Sequence, residues 1–120
     1  DLISAKKDKA FYYVQSVEKI RNVLKIMKER DISQLPVLEN ENIIGTVSEN
    51  SILSFILENP LDNADKEVKL IMSDPMPKVS MDLPLSLLNK CFSEKIPGVI
   101  TKDQNDHYHV LTKYDVIRAL

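Results

Sequence analysis

The segment ISQLPVLENENIIGTVSENSIL, residues 32–53, predicts a β-hairpin followed by a helix. Its two apolar runs, QLPVL and IIGTV, have the composition of strands, and the polar ENEN between them is typical of a turn. Ser48 then begins a helical segment through ILSFIL that we expect to stop near Pro60. Strand, turn, strand and helix in this order make part of a mixed α+β unit.

The residues before this hairpin predict an amphipathic helix. In SVEKIRNVLKIMKERD, residues 16–31, apolar side chains recur at helical spacing and charges occupy the other face. Ser16 is the predicted N-cap. With an extended segment at Val14, the predicted order becomes β-α-β-β-α.

The second half of the chain repeats this order. Its predicted elements are a helix at 69–72, an extended segment at 76–80, a helix at 83–92 that starts near Pro84, and strands at 98–102 and 108–111.

Aligning the two halves pairs Val14 with Val79, Pro36 with Pro97, and TVSENSIL with VLTKYDVI. The second half is about four residues shorter before Pro97 and about three longer in its hairpin loop, where length changes are tolerated.

The repeat defines a domain organisation. It spans Ser4 to Leu57 and Lys66 to Leu120, which predicts a first motif at 1–60, a linker at 61–65 and a second motif at 66–120. A unit of about 60 residues is marginal alone. We therefore expect two β-α-β-β-α motifs packed through their sheets with pseudo-twofold symmetry, and ligand clefts between them.

Composition excludes several classes of protein. With 43% hydrophobic residues and a net charge of −2, the chain is globular and gives no electrostatic reason to bind nucleic acid or an anionic membrane. No apolar run approaches the roughly 20 residues of a membrane span, and no signal peptide opens the chain. Cys91 is the only cysteine, which favours a reducing, cytoplasmic setting. The chain begins at Asp1, so we expect a piece of a longer protein.

The segment 32–53 resembles the core of a cystathionine-β-synthase (CBS) domain, whose pattern is leucine-proline-valine, a turn, an apolar-glycine pair, and a serine or threonine before a helix. Residues 74–120 resemble a second, shorter CBS motif that ends in threonine-x-x-aspartate. The chain thus resembles a tandem CBS pair, a Bateman module. The resemblance implies a prokaryotic, homodimeric, energy-sensing module that binds AMP, ADP, ATP or S-adenosylmethionine and controls an attached or partner protein.

Carried over residue by residue, the resemblance implies an adenosyl site in the second half. Asp115 matches the ribose-binding aspartate, and Thr112 matches the hydroxyl that faces the phosphate. The segments that line the base pocket supply Lys78, Val79, Ser80, Ile96, Pro97, Gly98 and Val99. A possible second site in the first half comprises Tyr13, Val14, Gln34, Leu35, Pro36, Ser48 and Ser51, with Ser51 in place of the acid.

Thr112 and Asp115 have two interpretations. A hydroxyl followed three residues later by an acid can cap a new helix. Alternatively, a helix N-terminus attracts phosphate, and a carboxylate beside it can accept two hydrogen bonds from ribose hydroxyls. Because Ser48 is expected to cap the first-half helix without an acid, we favour the ligand for Thr112 and Asp115 and the cap for Ser48 and Ser51.

Other candidates favour structural roles. His107 and His109, with Asp106, have the strand spacing of a metal site, but solvated histidines are the preferred interpretation. One of Tyr12 and Tyr13 must face away from the core. Cys91 and the four methionines are assigned to the core.

No motif indicates catalysis, so we predict no enzyme and no required cofactor. The alternative function is a ligand-free dimerisation scaffold, possibly the C-terminal part of a helix-turn-helix transcriptional regulator.

Overall fold

A computed structural model of the chain describes residues 11–80, 82, 84–88, 90, 92, 98–112, 115 and 117. These residues form two compact units. The first unit consists of residues 12–75, and the second unit consists of Phe11 and the described residues from Met76 onward. The α+β class predicted from the sequence is confirmed.

The first unit has the predicted β-α-β-β-α order. Its elements are β1 (Val14–Gln15), α1 (Ile20–Arg30), β2 (Gln34–Glu39), β3 (Asn42–Ser48) and α2 (Glu49–Glu58), followed by two 3₁₀ turns at Asn63–Asp65 and Val68–Ile71. The sheet order is β1-β2-β3, with β1 parallel and β3 antiparallel to β2.

The central strand β2 is buried on both faces from Leu35 to Leu38, which explains its continuous apolar run. Proline is tolerated in this strand because of its register. Pro36 lies opposite Thr46, whose N–H and C=O bond to Ser73 on the far side of β3. The nitrogen of Pro36 therefore faces the side of β1, where pairing begins one residue later, at Val37.

The core of the first unit joins the sheet to both helices. Its fully or nearly buried members are Val14, Ile20, Val23, Met27, Leu35, Val37, Val47, Ile52 and Val68. The α1 contributors recur three or four residues apart, as the amphipathic pattern predicted.

The segment that follows α2, up to Pro75, belongs to the first unit and packs against its sheet and helices. The amide of Asn63, inside the predicted linker, donates to the carbonyl of Phe55 at 2.7 Å. Ser73 pairs with Thr46 and covers the outer edge of β3. Gly45 permits this approach, because a Cβ at that position would lie 2.6 Å from the sulfur of Met72.

One local prediction in this unit is wrong. Ser16 does not cap α1, because the N-cap is Lys19, which makes no side-chain cap bond. Ser16 instead continues the pairing with β2, and its hydroxyl donates to Glu39 at 2.8 Å. The segment 69–72, predicted as helical, is a 3₁₀ helix at Val68–Ile71.

The second unit contains α3 (Leu85–Leu88) and the hairpin of β4 (Gly98–Lys102) and β5 (Tyr108–Thr112). Lys78 forms a parallel bridge with Ile100, so the segment 77–79 occupies the place that β1 occupies beside β2. The elements therefore recur in the same order. The packing of the two halves through their sheets, their pseudo-twofold relation and the motif limits stay predictions.

The hairpin registers correct the repeat alignment. The connection between the paired strands has two residues in the first hairpin and five in the second, as the sequence indicated. However, β3 carries a bulge and the strands of the second hairpin are shorter. Ser48 pairs with Gln34 in the first hairpin, and Thr112 pairs with Gly98 in the second. Counted from these pairs, the residue of the second hairpin that corresponds to Pro36 is Ile100 and not Pro97.

The tight turn of the first hairpin is strained at Glu41. Asn40 and Glu41 both have positive φ, at 50° and 67°, as a two-residue turn of the I′ type requires. Asparagine tolerates this region, whereas a residue with a bulky side chain does so at a cost of about 1 kcal/mol. The second position of such turns is normally glycine.

We expect Glu41→Gly to raise the free energy of unfolding by about 0.5–1 kcal/mol, since the relief of strain exceeds the added freedom of the unfolded chain. Urea titration measures the change. The control is Glu41→Ala, which removes the same carboxylate but keeps a Cβ at positive φ. Equal stability of the two variants would show that the turn is not strained.

Candidate functional site

Asp115 lies at the start of the helical segment that follows β5, and its carboxylate holds that start in place. Its Oδ2 accepts hydrogen bonds from the backbone N–H of Thr112 at 2.7 Å and from the Thr112 hydroxyl at 3.1 Å. The side chain is 5% exposed. The carboxylate is therefore not turned into bulk water, and it makes the reverse half of a capping box.

The equivalent position of the first half uses different chemistry. The Ser48 hydroxyl accepts from the backbone N–H of Ser51 at 3.1 Å and donates to the Ser51 hydroxyl at 2.8 Å. Ser48 is the N-cap of α2, as predicted. Capping is thus satisfied without an acid in the first half, whereas the second half places a buried carboxylate there.

Strand pairing brings several of the predicted second-half residues together. Gly98 lies opposite Thr112 at the open end of the hairpin, and Val99 lies opposite Leu111 in the buried interior. We call Gly98, Thr112 and Asp115 the hairpin-end site. A side chain at Gly98 would press on the carbonyl of Leu111 at 3.0 Å. Ile96 and Pro97 lie outside the described residues.

The segment 78–80 lines the other edge of β4. The backbone N–H of Val79 donates to the carbonyl of Ile100 at 2.8 Å, which fixes the segment beside the strand. The side chains of Lys78 and Ser80 are exposed. The Ser80 hydroxyl accepts from the backbone N–H of Asp82 at 3.2 Å, so it serves a local turn.

The predicted first-half residues divide between core and surface. Val14, Leu35 and Pro36 are buried, and each contributes to the interior of the first unit. Tyr13 is 46% exposed, and Ser51 is exposed. Gln34 pairs with Ser48 at the open end of the first hairpin, in the place that Gly98 takes in the second.

Sequence reasoning missed the role of Asp103, which organises the loop of the second hairpin. Its Oδ1 accepts from the backbone N–H groups of Asn105 and His107 at 2.8 and 2.9 Å, and its Oδ2 lies 2.9 Å from Nε2 of His109. The hydrogen bond with His109, followed by the bonds from the loop, lowers the pKa of Asp103 to about 2. Asp two residues before a turn residue is an Asx-turn signal that was available in the sequence.

The two histidines of this hairpin therefore differ in exposure. The side chain of His107 is 75% exposed, while that of His109 is 15% exposed and bound to Asp103, so the expectation of two solvated histidines is wrong for His109. Within the described ranges, no group of three or more histidine, cysteine or acidic side chains is placed to hold a metal ion.

The remaining candidates mostly follow their predicted roles. Met27 and Met76 are buried and Met72 packs on the core, whereas Met81 and Cys91 lie outside the described residues. Tyr12 packs on the core under Arg30, and Tyr13 faces outward. Among the residues whose structure is described, no helix has the length and apolar character needed to cross a membrane.

Comparison with known proteins identifies related sequences. Residues 7–58 match the family model of the CBS domain. The chain is 29% identical over 103 residues to MJ1232, an uncharacterized protein of Methanocaldococcus jannaschii, with 84% of this chain and 33% of the relative covered. The chain therefore spans about a third of the length of that relative.

Solved structures share the fold over most of the chain. A CBS-domain-containing protein of Agrobacterium tumefaciens, ATU1752, superposes with a TM-score of 0.82 at 13% identity, over 99% of this chain and 95% of that one. CBSX2 in complex with AMP superposes with a TM-score of 0.71 at 19% identity, over 91% of this chain and 86% of that one. At these identities the likeness establishes the fold.

The capping contact of Asp115 predicts a graded effect on stability. We expect Asp115→Ala to lower the free energy of unfolding by about 1 kcal/mol, because the N–H of Thr112 loses its acceptor. Asp115→Asn keeps a side-chain oxygen for this bond and should lose less. Chemical unfolding measured at neutral pH tests the order, and equal loss in both variants would contradict it.

The lowered pKa of Asp103 predicts a pH dependence. An acid whose folded pKa lies near 2, below its usual 3.8, contributes stability that is fully present above pH 3.8 and is lost as the pH falls towards 2. We therefore expect the stability difference between the wild type and Asp103→Asn to shrink over this interval.

Urea unfolding at several pH values between 2 and 5 measures this difference. The control is Asp106→Asn, in the same loop, which keeps a residue that tolerates the positive φ of 62°. A wild-type profile parallel to that of Asp103→Asn would contradict the assigned contact.

Proposed function

Because residues 7–58 match the family model of the CBS domain and the chain has the fold of CBS-domain structures, we propose that the protein is a regulatory module that binds an adenosyl ligand at the hairpin-end site. The ligand class is AMP, ADP, ATP or S-adenosylmethionine. The proposal places ligand binding, and no catalysis, in this chain. The observation that carries it is the buried Asp115 carboxylate, which stands where the first half has only Ser51.

The chemistry of the site suits a nucleoside. A carboxylate accepts hydrogen bonds from two neighbouring ribose hydroxyls, and the start of a helix favours an anion such as the 5′-phosphate. Thr112 fixes the direction of the carboxylate through two hydrogen bonds. A carboxylate already held in one orientation loses little further freedom when a ligand binds.

The residue across the hairpin from Thr112 also differs between the halves. Gly98 is buried, and the space where its Cβ would project is bounded by the Leu111 carbonyl at 3.0 Å and the Met76 sulfur at 3.3 Å, so glycine is required there by packing within the second unit. Gln34 takes the equivalent place in the first half, next to Ser48. The two halves therefore differ at two positions, and the difference that favours ligand binding in the second half is Asp115 in place of Ser51.

The AMP complex of CBSX2 supports a mononucleotide as one member of the ligand class, since that protein shares this fold. Regulation requires that the ligand bind one arrangement of the protein better than another, and the size of the response is limited by that difference. We propose that the responding element is an attached domain or a partner protein, and that the module acts as a homodimer.

The test is the binding of AMP, ADP, ATP and S-adenosylmethionine to wild type and to Asp115→Asn by calorimetry. The amide keeps one acceptor for Thr112 but loses the charge, and hydrogen bonds to a charged group are worth about 1.5–3 kcal/mol. We expect at least one of the four ligands to bind the variant about tenfold more weakly. Ser51→Ala, the matching change in the first half, should leave that affinity unaltered.

Thermal melts separate this proposal from a ligand-free scaffold. A ligand present at about 100 times its dissociation constant should stabilise the folded protein by about 2.7 kcal/mol. If none of the four compounds shifts the melting temperature, the sensing proposal fails and the scaffold is favoured. If a ligand binds equally well to wild type and to Asp115→Asn, the role of Asp115 is wrong.

A further inference from the structure

Tyr108 carries two lysines on one aromatic ring. The Nζ atoms of Lys78 and Lys102 lie 5.8 and 5.0 Å from the centre of the Tyr108 ring. The Phe11 ring packs beside it at 5.6 Å, tilted by 40°. Lys78 lies on the segment beside β4. Lys102 lies at the end of β4, directly opposite Tyr108.

The shared face of the strands explains why these side chains meet. Partners in a strand pair project to the same side, and side chains two residues apart share that side. Lys78 pairs with Ile100, and Lys102 pairs with Tyr108, so all four project to one face of the second unit. The two lysines are exposed, and Tyr108 is half-buried beneath them.

The described part of the chain offers no ion pair to balance the positive charge of this cluster. Among the described residues, no carboxylate lies within 4.0 Å of the ammonium group of Lys78 or of Lys102. The acid next in sequence, Asp103, is bound to His109 and to backbone amides of its loop. Two like charges drawn to one ring repel each other, and a ring offers each of them only about 0.5–1 kcal/mol at an exposed site.

The first unit shows that packing against an aromatic ring requires only one cation. Lys66 lies 5.6 Å from the centre of the Phe55 ring, and Arg30 lies 5.2 Å from that of Tyr12. Each of those rings has a single partner of this kind among the described residues. The second lysine near the Tyr108 ring is therefore the feature that indicates a bound counter-ion.

We propose that Lys78, Lys102 and the hydroxyl of Tyr108 form a binding site for a phosphate dianion. Two ammonium groups supply charge-assisted donors, and the phenol supplies a third donor. This phosphate site is distinct from the hairpin-end site. Tyr108 is four residues from Thr112 along β5, which is about 14 Å of strand. The proposal does not depend on the role of Asp115.

The phosphate can come from either of two sources. It is the end of a polyphosphate chain on a nucleotide held at the hairpin-end site, or it belongs to a separate phosphorylated compound. Either source presents the same phosphate oxygens to the lysines. In either case Lys78 binds phosphate and does not line the base pocket that the resemblance implied.

The first experiment titrates pyrophosphate into the protein by calorimetry at about 0.15 M salt, where contacts between distant exposed charges are screened. We expect wild type to bind pyrophosphate and the double variant Lys78→Gln/Lys102→Gln to bind it at least about tenfold more weakly. The matched control is Lys66→Gln, which removes the single lysine from Phe55 and should leave the affinity unchanged. The aromatic proton resonances of Tyr108 should shift with pyrophosphate in wild type only.

The second experiment compares AMP with ATP in the same variants. Weaker ATP binding with unchanged AMP binding in the double variant identifies the nucleotide chain as the source. Unchanged binding of both nucleotides, with pyrophosphate binding lost, identifies a separate compound.

The proposal is overturned if wild type does not bind pyrophosphate, or if Lys66→Gln weakens binding as much as the double variant does. Failure of the adenosyl proposal would appear separately, as the absence of any shift in melting temperature with AMP, ADP, ATP or S-adenosylmethionine. The pyrophosphate result with the lysine variants is independent of that outcome.

Discussion

The antiparallel register of each hairpin is the constraint on which the rest of the structure depends. In the first unit a two-residue turn and a bulge in β3 set the pairing, and in the second unit a five-residue loop held by Asp103 sets it. Both hairpins end on a hydroxyl residue, Ser48 or Thr112, beside the start of a helix. A slip of one residue would turn every strand side chain to the other face and separate Thr112 from Gly98.

The two helix starts show how one backbone plan supports two kinds of chemistry. Ser48 and Ser51 satisfy each other with hydroxyls, which leaves no charge at that position of the first unit. Asp115 makes the corresponding capping contacts through Oδ2 and places a buried carboxyl group at that position. A buried charge is costly unless hydrogen bonds hold it, so the contacts with Thr112 make the carboxylate tolerable as well as directed. The capping contact is observed, and it is compatible with the ligand-binding role proposed for the same carboxylate, so the two interpretations of Asp115 do not exclude each other.

The sequence predicted the elements better than it predicted their details. Helix α1, both hairpins and the Ser48 cap follow from periodicity and turn composition, because each depends on residues close in the chain. Ser16 was misassigned because pairing with β2 extends the strand path past it, a contact with residues more than 20 positions away. Pro97 was matched to Pro36 by residue type, but the strand registers do not pair these positions, because β3 carries a bulge and the strands of the second hairpin are shorter. Lys78, Lys102 and Tyr108 are far apart in the sequence, so no local motif predicts their cluster.

The second unit has an acid near one end of its hairpin and two lysines near the other. Asp115 lies at the open end of the hairpin, and the two lysines lie at the loop end, about four strand residues away along β5. In the proposed binding mode, a ribose with a single phosphate held at the open end would leave the lysines unpaired. A longer phosphate chain brings negative charge towards them, and their flexible side chains shorten the remaining gap. The spacing between the carboxylate and the ammonium groups would then distinguish nucleotides by the number of their phosphates, which a carboxylate that contacts only the ribose cannot do.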